Sequence, residues 1–307
     1  MSTPVSFTII VFLLFFSLSC QSAQSSQEKE PPPEKALQQW CPGADDLKVF
    51  ISESDSILAI KAMQEVLIEM PNASTADLIL ALSGKFLGTP YVAHTLEVKE
   101  PEQLVINLAG MDCTTFVEHM LAMARAIRKG NVSFEDFSQI LACIRYRGGV
   151  IDAYPSRLHY FTDWLHDNAS KGILEIASNT IGNEVHDNHV AFMTANPGSY
   201  RQLENPAFVE KMKEVEKTVS AYEMNFIPKG KIKELENLIR NGDIIALTTD
   251  IDGLDVSHTG FAIFQNGRLH LLHASLRTNK VEITPVPLSQ YLAPMRRVTG
   301  ILVGRVK

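Results

Sequence analysis

Apolar positions recur through the first three quarters of the chain at three- and four-residue spacing, the period of helices that pack on a core. This spacing predicts helices over residues 55–69, 75–87, 113–130, 133–145, 156–169, 206–220 and 232–240. The clearest helix begins at Cys113, and its apolar stripe consists of Phe116, Met120, Met123 and Ile127. Asp112 precedes this helix as an N-cap, and Gly130 ends it.

Later in the chain the pattern changes to the two-residue alternation of strands. Strand-like runs cover residues 243–249, 258–264, 268–274, 280–286 and 298–306, and one earlier run covers 173–180. Asn266-Gly267 predicts a tight hairpin between two of these runs, in which Gln265 pairs with Arg268. Helices followed by a strand meander predict an α+β fold.

Composition limits the classes of function. The chain has 307 residues, of which 45% are hydrophobic, and a net charge of −7. This charge provides no basic surface for nucleic acid. None of the four cysteines lies in a CxxC pair, so a zinc ribbon and a thioredoxin-like site are not predicted. A disulfide between Cys41 and Cys143 is left open, because two cysteines in a sequence do not prove a bridge.

The N-terminus has the pattern of an export signal. Residues 5–18 are almost wholly apolar, a length that suits a signal peptide better than a membrane span. Ser17-Leu-Ser-Cys20 resembles a bacterial lipoprotein box, which predicts a lipid anchor at Cys20; plain signal removal is the alternative. We therefore predict a signal over residues 1–20, a disordered Ser-, Gln-, Glu- and Pro-rich tether over 21–38 and a single domain over 39–307. The expected location is the periplasm or outer membrane of a bacterium.

Cys113 is a candidate nucleophile because unpaired N–H groups and the helix dipole favour a thiolate at a helix N-terminus. The alternative is a buried structural cysteine. The hairpin register places His258 nearly opposite Ser275, with His273 diagonal to it on the same face. His258 is then a candidate base and His273 its orienting group, although two satisfied core histidines would give the same pattern. His270 lies on the opposite face and is assigned no role.

Four motifs together resemble the NlpC-type branch of the papain-like cysteine peptidases and amidases, which act on bacterial peptidoglycan. They are Gly88-Thr-Pro-Tyr91, Met111-Asp-Cys-Thr-Thr-Phe-Val117, His258-Thr-Gly-Phe-Ala262 and Leu272-His-Ala-Ser275. The resemblance implies a fold in which the nucleophile, at a helix N-terminus, packs with N-terminal helices on an antiparallel sheet, with helical insertions added. It implies catalytic roles for Cys113, His258 and His273, and an oxyanion-stabilising role for Tyr91.

Further motifs resemble one subfamily, formerly a domain of unknown function, with N-acetylmuramoyl-L-alanine amidase activity. They are Arg145-Tyr-Arg-Gly148, the run over residues 154–164, Ile227-Pro-Lys229 and Gly253-Leu-Asp-Val-Ser-His258. The implied reaction cleaves the amide between the lactyl group of N-acetylmuramic acid and L-alanine, on muropeptides, with no cofactor and no metal. The stretch from Tyr91 to Cys113 is longer than the usual NlpC loop, so the general family's substrate details do not transfer.

Five residues are candidates for binding the substrate: Asp112, Tyr154, Arg157, Ser257 and Asp255. Aromatic rings stack on sugars and arginine binds carboxylates, which suits a groove wall. Four of the five candidates also have a structural alternative. Asp112 can serve only as the helix cap, Tyr154 and Arg157 can pack a helix, and Asp255 can shape a turn.

Three other functions remain open. An endopeptidase of the same fold would cut between γ-D-glutamate and diaminopimelate. A zinc-dependent amidase would use the H-x-x-H spacing of His186 and His189, although no H-E-x-x-H helix is present. A wall-binding lipoprotein with a degenerate site would need no catalysis.

Overall fold

Helices form most of the first half of the described chain, and strands form most of the last third. The computed structural model describes residues 1, 47–98, 101–130 and 132–307. Within these residues the helices are α1 (Glu53–Glu69), α2 (Thr75–Lys85), α3 (Cys113–Arg128), α4 (Phe134–Arg145), α5 (Phe161–Ser170), α6 (Ser178–Ile181), α7 (Phe192–Ala195), α8 (Pro206–Ser220), α9 (Ile232–Leu235) and α10 (Leu288–Leu292). The strands are β1 (Val49–Phe50), β2 (Leu104–Val105), β3 (Leu174–Ile176), β4 (Glu184–Val185), β5 (Asn225–Pro228), β6 (Ile244–Thr249), β7 (Val256–Gln265), β8 (Arg268–Ser275), β9 (Lys280–Ile283) and β10 (Val298–Val306).

The central sheet has the strand order β4-β5-β10-β6-β7-β8-β9, and β3 also pairs with β10. All of these pairings are antiparallel. The short strands β1 and β2 form a separate parallel pair. The α+β prediction with an antiparallel sheet is confirmed.

Apolar side chains pack on both faces of this sheet, as the two-residue alternation requires. On one face Phe116 of α3 meets Phe261 of β7, with ring centroids 5.7 Å apart. The other face carries a second cluster, which includes Leu271 of β8 and Tyr291 of α10. Alternate residues of β7 and β8 therefore face different layers. This alternation decides which polar side chains of the hairpin can meet.

The β7–β8 hairpin forms in the predicted register. Gln265 pairs with Arg268, and Ile263 pairs with His270. Asn266 and Gly267 have φ angles of 51° and 75°, the left-handed pair that a type I′ turn needs. Because a one-residue slip would turn every side chain to the other face, this turn fixes the positions of the hairpin histidines.

Several predicted elements are shorter than the sequence pattern indicates, among them the strand predicted over 280–286, which ends at Ile283. The helix predicted over 156–169 begins only at Phe161, because the Leu158 N–H donates to the Arg145 carbonyl at 2.9 Å and holds the chain extended. The strand predicted over 173–180 ends at Ile176, where α6 soon follows. The helix predicted over 232–240 becomes α9 and a 3-10 turn.

Several N-terminal predictions lie outside the described residues, among them the signal, the tether, Cys20 and Cys41. Cys143 is disulfide-bonded, while its pairing with Cys41 stays a prediction. Every element named above belongs to one compact unit. In the described part of the chain, no helix has the length and apolar character needed to cross a membrane.

Candidate active site

The site is built around the first turn of α3. Asp112 caps this helix: its carboxylate accepts the Thr115 N–H at 2.8 Å, and the Thr115 hydroxyl accepts the Asp112 N–H at 3.0 Å. This reciprocal pair satisfies two backbone donors that a helix start leaves open. Cys113 is therefore held as the first residue of a well-capped helix, as predicted.

The Cys113 thiol is half-buried beside strand β7, where the Thr259 backbone N–H is within hydrogen-bonding range of the sulfur. Burial, and then the nearby Asp112 carboxylate, raise the pKa of Cys113 to about 12. The expectation that the helix terminus lowers this pKa is wrong for the free protein. The carboxylate that caps the helix opposes the dipole, and burial disfavours the charged sulfur further.

His258 and His273 meet as the hairpin register predicts. The Nε2 atom of His258 lies 2.6 Å from the Nδ1 atom of His273, with the ring planes at 85°. Burial lowers the pKa of His258 to about 4 and, with His258 nearby, that of His273 to about 3. Both rings are thus neutral near pH 7. Cys113, His258 and His273 are called the cysteine–histidine cluster below.

The geometry leaves one nitrogen of His258 for the thiol. Its Nε2 atom is engaged by His273, so Nδ1 is the atom available to take a proton. Within the described residues no hydrogen bond joins Cys113 directly to His258; the sulfur is held by Thr259, the next residue along β7. Contacts of this kind commonly tighten only when substrate binds.

Gly260 makes the histidine contact sterically possible. A Cβ atom at this position would lie 2.8 Å from the Cβ of His273 and 2.6 Å from the Leu272 carbonyl oxygen. Both separations are too short, so β7 and β8 approach this closely only because residue 260 has no side chain.

Tyr91 lies at the same end of the sheet. It bridges to Met111, and its N–H donates to the Asn279 carbonyl at 3.0 Å. Burial, and then the charges at Cys113 and Asp112, raise the pKa of the Tyr91 phenol. The phenol therefore stays protonated and can donate a hydrogen bond near the sulfur.

Arg157 is buried and bound by the chain's own carboxylates. Its guanidinium reaches the Glu102 carboxylate at 2.7 and 3.0 Å, Glu97 at 3.0 Å and the Leu96 carbonyl at 3.2 Å. Tyr154 is only 1% exposed, and its ring packs against His159. The packed alternative describes both positions better than an open groove wall. Arg157, Glu97 and Glu102 are called the arginine cluster below.

Asp255 and Ser257 come just before the candidate base His258 in the sequence. The Asp255 carboxylate is buried and accepts the N–H and hydroxyl of Thr162 at 2.7 and 2.8 Å, so it anchors the turn before β7. Ser257 is exposed next to His258, and its hydroxyl donates to the Leu247 carbonyl at 3.3 Å. Of the five binding candidates, Ser257 is exposed and Asp112 is half-buried, whereas the other three are buried.

His186 and His189 do not converge. His186 is buried, tilted over Phe226 with ring centroids 5.6 Å apart, whereas His189 is exposed. Among the residues that the structure describes, no three His, Cys, Asp or Glu side chains form a group that could hold a metal ion.

Three residues in contact with the two clusters were not predicted from the sequence. They are Thr259, whose backbone faces the Cys113 sulfur, and Glu97 and Glu102 of the arginine cluster. Each glutamate lies more than fifty residues from Arg157 in sequence, so no local sequence spacing predicts the contact. The position of Thr259, directly after the candidate base, was the one available signal.

Comparison with known proteins shows the family to which the chain belongs. The sequence profile described as AmiA-like, N-acetylmuramoyl-L-alanine amidase-like, matches residues 81–301. The crystal structure of an N-acetylmuramoyl-L-alanine amidase from Bacteroides uniformis ATCC 8492 is similar, with 40% identity and a TM-score of 0.73, covering 76% of this chain and 100% of that one. No curated protein matches.

Two further crystal structures are similar to the chain. One, from Bacteroides fragilis and described provisionally as a xylanase, has 44% identity and a TM-score of 0.70, covering 73% of this chain and 98% of that one. The other, from Legionella pneumophila str. Philadelphia 1, has 25% identity and a TM-score of 0.61, covering 83% and 97%. Because the profile matches well over half of its residues, the chain belongs to the AmiA-like, N-acetylmuramoyl-L-alanine amidase-like family.

Proposed function

We propose that the protein is a cysteine-dependent N-acetylmuramoyl-L-alanine amidase with an NlpC-type, papain-like catalytic arrangement. The observation that carries the proposal is the cysteine–histidine cluster itself. A thiol at a helix start lies against the backbone of Thr259, and the preceding residue, His258, is bonded to a second histidine. A nucleophile, a base and an orienting group are what acyl transfer by a thiol requires.

The reaction begins from a neutral thiol and a neutral imidazole, since the pKa of Cys113 is raised and that of His258 is lowered. The Cys113 proton passes to Nδ1 of His258 as the sulfur attacks the lactyl carbonyl. Coupling the two events avoids a free thiolate. The imidazolium then has an N–H at Nε2 that donates to His273.

The tetrahedral intermediate carries its negative charge on the former carbonyl oxygen. The Cys113 backbone N–H and the protonated Tyr91 phenol are the donors proposed for it, and one such donor is typically worth about 3 kcal/mol of barrier. His258 protonates the alanine nitrogen, the C–N bond breaks, and a thioester remains. Water, deprotonated by His258, hydrolyses the thioester and regenerates the thiol.

Digestion of defined muropeptides tests the reaction. The proposal expects release of the complete stem peptide with a free L-alanine amine, detected by mass spectrometry, and no product from Cys113→Ala. A cut within the stem, between γ-D-glutamate and diaminopimelate, would replace the amidase proposal with the endopeptidase. Unchanged function of Cys113→Ala in cells would favour the wall-binding alternative.

Inhibition separates the cysteine and zinc mechanisms. The cysteine mechanism predicts loss of activity on alkylation of Cys113 and full activity after a chelator. The reverse result would make the enzyme zinc-dependent. His189→Ala, an exposed substitution outside the cluster, is a matched control and should leave the rate unchanged.

We also propose that the enzyme is exported and anchored to a bacterial membrane through a lipid on Cys20. Its partners at that membrane are muropeptides. The lipoprotein-like run before Cys20 supports this proposal. Mass spectrometry of the mature N-terminus should show a diacylated cysteine as residue 20, and Cys20→Ala should release the enzyme in soluble form. An unmodified terminus beyond residue 20 would contradict the anchor.

A further inference from the structure

One buried nitrogen of the cysteine–histidine cluster has no hydrogen-bond partner among the described residues. His273 is 1% exposed, and its Nε2 atom is buried without a hydrogen bond among the described residues. A buried polar atom left unpaired usually costs free energy, so its protonation state and its neighbours need an account.

The 2.6 Å contact between the two rings allows two neutral arrangements. In the first, Nε2–H of His258 donates to Nδ1 of His273, which leaves Nδ1 of His258 bare and puts the His273 proton on Nε2. In the second, Nδ1–H of His273 donates, and the remaining His258 proton sits on Nδ1. Only the first arrangement leaves a base for Cys113.

The aromatic ring of Tyr291 lies beside the ring of His273. It meets the His273 ring in a T-shaped pair, with centroids 5.8 Å apart and planes at 79°. The face of an aromatic ring is electrically negative. It attracts an N–H at the edge of a neighbouring ring and repels a bare nitrogen lone pair.

We propose that Tyr291 is a positioning residue: its ring accepts Nε2–H of His273 and thereby selects the tautomer that leaves His258 bare at Nδ1. The existence of this tautomer does not depend on the proposed function, whereas its effect on catalysis does. Tyr291 acts through two rings and touches neither the thiol nor the substrate.

The surroundings of Tyr291 hold its ring in place. The residue is 8% exposed and belongs to α10, in the apolar cluster with Leu271. Its hydroxyl is bonded to the side chain of Ser275, two residues after His273. The ring is thus fixed by packing on one side and by this hydroxyl contact on the other.

Nuclear magnetic resonance of the full chain with 15N-labelled histidine tests the tautomer directly. The His273 signals are identified by their loss in His273→Asn or, if that variant does not fold, by proximity to the Tyr291 ring protons. We expect a protonated Nε2 and a bare Nδ1 in His273. The opposite pattern, with the proton on Nδ1, would overturn the proposal.

Two variants at residue 291 then test the role of the ring. Tyr291→Phe keeps the aromatic face and should retain the Nε2–H signal and the wild-type kcat. Tyr291→Leu keeps apolar bulk, should mix the two His273 tautomers and should lower kcat about tenfold at constant KM. An unmixed signal and unchanged kcat in Tyr291→Leu would reject the role of the ring, as would equal losses in both variants.

The two proposals fail in different ways. A wild-type protein that shows Nε2–H on His273 but does not cleave muropeptides would leave the Tyr291 inference standing and overturn the amidase. An active amidase with Nδ1–H on His273 would do the reverse.

Discussion

The cysteine–histidine cluster and the arginine cluster are both polar, largely shielded from solvent and assembled from distant parts of the chain, but they differ in how fully their atoms are paired. The Arg157 guanidinium binds two carboxylates and a carbonyl. In the cysteine–histidine cluster, Nε2 of His273 has no partner in the described part of the chain, and the Cys113 thiol, contacted by Thr259 and Thr114, has no hydrogen bond to His258 there. A satisfied cluster fixes structure, whereas an incompletely satisfied one keeps atoms available for chemistry.

Replacing Cys113 with alanine should give the largest effect. We expect amidase activity to fall by about 10⁴-fold or more, because the variant lacks the proposed nucleophile. The thermal midpoint should hardly change, since the thiol contributes little packing at a half-buried position. Activity assays with calorimetry on the same samples measure both. A large drop in stability with residual activity would assign Cys113 to structure.

Replacing Arg157 with methionine should give the opposite outcome. The substitution leaves Glu102 buried without its cation, and breaking such a pair typically costs about 3–5 kcal/mol. Urea unfolding measures this loss. The folded fraction should retain its KM, because the guanidinium faces the chain's own carboxylates. Normal stability with a raised KM would instead make Arg157 a binder of a substrate carboxylate.

His273 and His270 provide a matched pair on one strand. His273→Leu removes the group that holds His258, so kcat should fall about 100-fold at constant KM. His270 donates its Nδ1–H to the Thr284 carbonyl, 2.7 Å away. His270→Leu should therefore lose about 1 kcal/mol of stability and keep kcat. Equal kcat losses in both variants would mean that removing either histidine disturbs the hairpin, and that His273 has no specific role in orienting His258.

The difference between the clusters also explains how far the sequence could predict the site. The register of the histidines follows from a local signal, because Asn266-Gly267 determines the turn and the two-residue period determines the face. The arginine cluster joins residues more than fifty positions apart, and burial of Arg157 cannot be read from spacing. The sequence therefore indicated Arg157 only as a candidate for binding substrate, and its partners Glu97 and Glu102 come from the structure.

The thiol illustrates a second limit. The sequence shows both the helix start at Cys113 and its cap, Asp112. The expectation that the helix dipole favours a thiolate considers only the helix start and leaves out the charge of the cap. The direction of the pKa shift at Cys113 depends on burial, which only the packed structure shows, and on the Asp112 charge. Likewise, the aromatic residues around 154–164 predict a helix, whereas the Leu158–Arg145 contact delays its start to Phe161.

The smallest expected effect is the response of activity and stability to acid, which should differ between the two clusters. His258 must be neutral to take the thiol proton, and burial lowers its pKa to about 4. The acid limb of kcat/KM should therefore lie near pH 4, well below the ordinary histidine pKa of about 6.5. Between these two values the unfolded chain binds more protons at His258 and His273 than the folded chain does. Stability should thus be complete above pH 6.5 and decrease as the pH falls towards 4.

The Arg157 cation should not contribute to this decrease in stability. Burial acts to lower the pKa of Arg157, but Glu102 and its other partners outweigh burial and raise it, so the guanidinium stays charged throughout. Urea midpoints measured from pH 8 to pH 4 on the wild type and His273→Leu check the assignment, because the variant should lose less stability on acidification. An acid limb near pH 6.5, with identical pH profiles of stability for the two proteins, would mean that neither histidine is buried as a neutral group.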